Sequence, residues 1–175
     1  AYKGKKYENV ELAGFYWITE EFLDKSPLLP MVSEYVHSKG YPITWIPYFQ
    51  APGYTEWREK GFDLAWYQPN YFFYNVPESQ IKTACEQAQA NGMGMEMELD
   101  ERASVKPLWG DKSLDYKLRA YMKTFKECGA WANCQLAYYQ DTHAVRHLKD
   151  SSDPRDVELY QDLCDFIAKR PYRNK

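Results

Sequence analysis

The run Met93-Gly-Met-Glu-Met-Glu-Leu-Asp100 alternates apolar and acidic side chains. In an extended chain, Glu96, Glu98 and Asp100 share one face, and Met93, Met95, Met97 and Leu99 share the other. Three like charges on one face repel each other, and burying them unpaired is costly. They require a hard cation, an Arg or Lys partner, or a shared proton. Paired carboxyls with separated pKa values are also the equipment of glycoside hydrolysis, in which one acts as acid and the other as nucleophile or base. The competing reading is an edge strand that turns a charged face to water, but the methionine-rich flanks favour burial.

Other groups with chemical potential stand at comparable places along the chain. Glu20 and Glu21 follow the apolar run that ends in Tyr16-Trp-Ile-Thr. Gln68 and Asn70, in Gln68-Pro-Asn-Tyr71, offer amides that can bond sugar hydroxyls or orient a carboxylate. Trp45 and Tyr48 close a second apolar run, and Tyr139 and Asp141 close the last; aromatic rings there suit stacking on a pyranose, with core packing as the plain alternative. His143 and His147 are four apart in what reads as a loop, so a metal site is not expected. No G-x-S-x-G, Walker loop or dinucleotide G-x-G-x-x-G is present, and Gly92-x-Gly94 precedes a strand instead of opening a helix. No cofactor is expected.

Aromatic content is 17%, with 16 Tyr, 6 Trp and 8 Phe in 175 residues, a supply suited to a groove for a flat hydroxylated ligand. The formal net charge of -3, with no basic stripe, argues against nucleic acid as partner. No apolar run approaches the ~20 residues of a membrane span, and no basic and apolar leader opens the stretch, so no signal peptide is expected in it. Cys85, Cys128, Cys134 and Cys164 form no C-x-x-C pair; buried thiols are expected, with one disulfide left open.

These residues must be positioned by alternating elements. Strand-like segments fall at 11–18, 43–49, 64–68, 93–99 and 133–139. A helix capped by Ser26 and closed at Gly40 follows the first, and a short helix over 56–60 follows the second. A helix over 77–90 buries Ile81, Ala84, Cys85 and Ala88. Another, begun at Ser113, carries the stripe Leu114, Leu118, Tyr121, Met122 and Phe125, and a last one after Asp153-Pro154 turns Val157, Tyr160, Cys164 and Ile167 inward. Strand–helix alternation implies a parallel sheet within a single α/β domain over 1–175. The strands lack the all-apolar character of a sheet covered on both faces. The expected fold is therefore the C-terminal five βα units of a (β/α)8 barrel, which in full needs eight units and ~250 residues. An open parallel sheet is the alternative.

Counted backward from the last helix, Glu20 follows strand four of such a barrel and Glu96 and Glu98 lie on strand seven. Retaining barrel glycosidases resemble this arrangement, although Thr19 stands where they commonly carry Asn. The stretches Trp45-Ile-Pro-Tyr-Phe, Gly61-Phe-Asp-Leu-Ala-Trp-Tyr-Gln-Pro-Asn-Tyr-Phe and Gly92-Met-Gly-Met-Glu-Met-Glu-Leu-Asp resemble the bacterial domain-of-unknown-function family 4855, over most of the chain. The resemblance implies a barrel-like fold, a longer parent protein, a secreted or cell-surface setting and a carbohydrate-related role. It identifies no catalytic residue.

The expectation is a glycosidase-like protein acting on a polysaccharide, with Glu98 as nucleophile or base, Glu20 as acid, and Glu96 or Asp100 tuning them. Gln68, Asn70, Tyr48, Tyr139, Trp45 and Asp141 would position substrate. A non-catalytic carbohydrate-binding module on a degenerate barrel is the rival. A further partner would be the upstream part of the same protein or another copy of the chain.

Overall fold

The computed structural model describes residues 9–22 and 27–171; Ser26, the expected cap of the first helix, lies outside them. Five strands, β1 (Phe15–Trp17), β2 (Ile43–Trp45), β3 (Leu64–Tyr67), β4 (Gly94–Glu98) and β5 (Leu136–Tyr139), pair in parallel in the order β1-β2-β3-β4-β5. The fold is α/β, and its sheet curls as a half-barrel. A doubly wound sheet reverses strand order at a switch point; this one does not. Crossovers of one hand, always stepping the same way, put the connections on one side of the sheet. That leaves a convex face under helices and a concave face free.

Strand register assigns side chains to the two faces. Trp45 pairs with Ala65 and Tyr67 with Met95, and these residues, with Ile43 and Met97, belong to the buried core under the helices. On the concave side Tyr16 pairs with Thr44, Trp66 with Gly94, Glu96 with Ala137 and Glu98 with Tyr139. Gly94 sits where a side chain has no room: a Cβ there would lie 2.6 Å from both the Gln135 carbonyl oxygen and Trp66 Cδ1. Gly94→Ala is expected to cost about 1–3 kcal/mol by overpacking, read as a lower urea midpoint at unchanged slope.

The helices are α1 (Leu28–Ser38), α2 (Ser79–Ala90), α3 (Asp115–Glu127), α4 (Ala130–Asn133), α5 (Ala144–Asp150) and α6 (Pro154–Ala168). α2 buries Ile81, Ala84, Cys85 and Ala88, and α3 buries Leu118, Tyr121, Met122 and Phe125, as their spacing predicts. Asp153 caps α6 by accepting the Arg155 N–H at 3.1 Å, with Pro154 in the first turn. The inward stripe of α6 is Asp156, Leu159, Leu163 and Phe166, one position off the expected one; Val157 is exposed. The reason lies in Asp156, whose carboxylate accepts from the Ser104 and Ser151 hydroxyls and the Val105 N–H, so a polar residue leads the buried face.

Three local expectations fail. The strand expected over 133–139 begins only at Leu136, because Asn133 ends α4. No helix forms over 56–60: Gly53 and Gly61, at φ 83° and 93°, bound a series of turns, and within it only Lys60 N–H to Glu56 C=O, at 3.1 Å, has helical spacing. So short a segment does not repay helix nucleation. Conversely, His143 and His147 lie at the start of and within α5, not in a loop. Its first turn is held from outside by Glu101 and Gln140, which accept the His143 and Val145 N–H groups. All four cysteines are free thiols. No helix among the described residues is long and apolar enough to cross a membrane.

Candidate active site

At the C-terminal edge of the sheet a cleft of about 390 Å³ opens on the concave side. Glu20 reaches it from the segment after β1, Gln68, Asn70, Phe73 and Tyr74 from the loop after β3, Glu96 and Glu98 from β4, and Tyr139 from the end of β5. Ile46 and Tyr16 complete the lining. Ligand sites of parallel α/β folds lie at this edge because the loops there converge over the strand ends.

Glu98 is 2% exposed and hydrogen-bonded on several sides. Its Oε2 accepts the Tyr121 hydroxyl at 2.6 Å and the Asn70 N–H at 2.7 Å, and its Oε1 accepts Asn70 Nδ2 at 3.4 Å. Asn70 can do this because its backbone is left-handed, at φ 54°, a conformation that asparagine tolerates better than most residues. Its Oδ1 also accepts the Phe49 N–H at 2.7 Å, and its Nδ2 reaches Gln68 Oε1 at 3.1 Å. One residue thus ties β2, β3 and β4 together at the mouth. Burial raises the Glu98 pKa to about 7, against the pull of the Tyr121 and Asn70 hydrogen bonds.

Glu96 is 4% exposed. Burial, then the charges of Glu98 and Glu20, raise its pKa to about 8, while Gln68 works the other way. Glu96 therefore holds a proton at neutral pH. Glu20, on the opposite wall, is exposed and accepts Gln68 Nε2 at 3.2 Å. Burial, then the charges of Glu20 and Glu96, push the Tyr16 phenol up to about 12, so it remains a hydrogen-bond donor. The arrangement can bind hydroxyl-rich ligands, deliver a proton from a buried carboxyl, and present a fixed carboxylate beside it.

Three expected site residues stand behind the cleft. Trp45 is buried on the convex face, stacked on Phe62, and its Nε1–H donates to the Thr19 carbonyl at 2.7 Å. It fixes the segment that presents Glu20. Tyr48 donates to Glu21. Asp141, itself left-handed at φ 53°, accepts the Tyr139 hydroxyl at 3.4 Å and orients that ring. Asp100 leaves the acidic row because β4 ends at Glu98. The Arg102 guanidinium grips its carboxylate through Nη2 at 2.7 Å and Nε at 3.1 Å, and its Oδ1 caps a 3-10 turn at Arg102 N–H.

Sequence reading missed Tyr16, Ile46, Phe73 and Tyr74 in the lining, Tyr121 and Lys117 that hold Glu98 and the loop after β3, and Glu101 in the turn after β4. Tyr121 lies in a helical apolar stripe, where its hydroxyl gave the only hint. Lys117 is buried, and its Nζ donates to the carbonyls of Tyr71 and Tyr74 at 2.7 Å and Phe72 at 3.2 Å, holding the loop that carries Phe73 and Tyr74. Burial alone would raise the Glu101 pKa, yet hydrogen bonds from Thr142 and the His143 backbone hold it at about 2. Among the described residues, no three His, Cys, Asp or Glu side chains come together so as to hold a metal ion.

The sequence profile of the domain of unknown function DUF4855 matches residues 1–165, and the chain belongs to that family. Neither the curated proteins nor the solved structures hold a match to it.

Proposed function

We propose that the chain supplies the C-terminal five βα units of a (β/α)8-type barrel, and that the cleft cleaves glycosidic bonds in a polysaccharide. The observation that carries this reading is the meeting of Glu20, Glu96 and Glu98 in one tyrosine-walled cleft, with Glu96 protonated near neutrality. Glu96 is the proton donor to the leaving oxygen, and Glu98, fixed by Tyr121 and Asn70, is the nucleophile or base. This moves the acid role from Glu20, because Glu96 is the group whose surroundings retain the proton. Glu20 raises that affinity by its charge and, with Gln68 and Tyr16, binds hydroxyls. The barrel reading is supported by the unreversed strand order and by Trp66 Nε1, buried on the concave face without a hydrogen-bond partner among the described residues. Work on polysaccharide accords with a secreted or cell-surface protein.

The test is a polysaccharide panel assayed for release of reducing ends, with Glu98→Gln in parallel. Cleavage by the wild type and none by the variant, with glycan binding kept by both, is the expected result. Binding without cleavage in both would establish the carbohydrate-binding module instead, and neither binding nor cleavage on any glycan would end the carbohydrate reading.

A further inference from the structure

The loop that follows β4 presents an aromatic ring with unusual care. Trp109 is 46% exposed although the Arg102 guanidinium covers its ring at 4.3 Å from the centroid. With one face covered by Arg102, nearly half of the residue's surface still meets solvent. The ring edge is fixed as well, since Nε1–H donates to Glu101 Oε2 at 3.4 Å. Both fixing groups are themselves anchored: Arg102 by the buried Asp100, and Glu101 by Thr142 and the His143 N–H. Gly110, at φ 78°, turns the chain immediately after the ring, and a Cβ there would lie 3.2 Å from Arg102 Cδ.

Held in this way, the indole loses little freedom on binding, and that is where a preorganised aromatic gains affinity. Packing a core does not require a tryptophan this exposed. Asp100, Glu101 and Arg102 directly continue the strand that carries Glu96 and Glu98, so the ring belongs to the same end of the sheet. We propose that Trp109 is a stacking platform for a sugar ring of the polysaccharide chain, outside the cleft that holds the bond to be cleaved. This rests on the carbohydrate reading of the cleft and extends it from a single bond to a chain of several sugars.

The experiment measures retention of the full-length chain on insoluble cellulose, chitin, xylan and starch, comparing wild type, Trp109→Ala and Trp109→Phe, with a urea midpoint for each. Expected is about tenfold weaker binding for Trp109→Ala, recovery of most of it in Trp109→Phe, and unchanged midpoints. Wild-type binding that Trp109→Ala leaves intact would overturn the platform while sparing the cleft reading. Equal loss in both variants, or loss that tracks a fallen midpoint, would show the ring to be structural and overturn the platform. No wild-type retention on any of the four would overturn the platform, while the cleavage panel decides the cleft reading separately.

Discussion

Glu96→Gln is expected to stabilise the protein at pH 8 by about 2–4 kcal/mol, while lowering any glycosidic turnover by about 10²–10⁴-fold. The two effects have one origin. Glu96 is nearly sealed from water, its pKa is raised from 4.5 to about 8, and Glu98 beside it is raised to about 7. Between pH 4.5 and 8 the folded state holds protons that the unfolded chain has released. Stability must therefore fall as pH rises through that window, and the contribution is intact below pH 4.5. Glutamine mimics the protonated acid and cannot ionise. The variant should match the wild type at pH 4 and exceed it at pH 8 by roughly 5–10 °C in Tm. Melts at both pH values check this, and a difference that does not grow with pH would show that Glu96 is not held protonated by burial. A gain in stability that removes turnover is the usual mark of a site built at the expense of the fold.

Lys117→Met is expected to cost about 3–5 kcal/mol and to abolish ligand binding at the mouth. The Lys117 ammonium is the common donor to three carbonyls within four residues of the loop after β3, and it also lies 4.7 Å from the centre of the Tyr71 ring. Burial and the nearby Arg102 lower its pKa, so the protein tolerates an unfavourable charge in order to hold this loop. Methionine fills the same volume and donates nothing, leaving those carbonyls unsatisfied. The loop carries Asn70, Phe73 and Tyr74, so the anchor of Glu98 and one cleft wall loosen together. A fallen urea midpoint and new proteolytic cleavage between residues 69 and 75 check this; a variant as stable and as resistant as wild type would remove Lys117 from the account.

What the sequence made legible follows the range of the forces involved. Periodicity identified five strands and the buried faces of α2 and α3, because those patterns record local geometry against a single core. The alternation of Glu96 and Glu98 with Met95 and Met97 was readable for the same reason, and the side it predicts is the side the cleft opens on. Asp100 was misplaced because alternation holds only as far as the strand does, and Arg102 ends it. The start of α5 was unreadable because its cap, Glu101, comes from 42 residues away. Trp45, Tyr48 and Asp141 are aromatic and polar groups near strand ends, but none of them lines the cleft: they bond to Thr19, Glu21 and Tyr139, of which only Tyr139 does. Composition cannot separate a ring that meets a ligand from one that holds the residue that does.

Tyr121 carries a different consequence. It stands on α3, in the helical layer, yet its hydroxyl donates to Glu98 on β4 and accepts the Tyr71 N–H at 3.1 Å. With Lys117 it makes α3 the helix that holds the mouth from behind: one side chain fixes Glu98 and the other the loop after β3. Mutational libraries restricted to the rim would leave that connection unsampled, and neutral-looking repacking of α3 should surface as altered pH profiles rather than as lost expression.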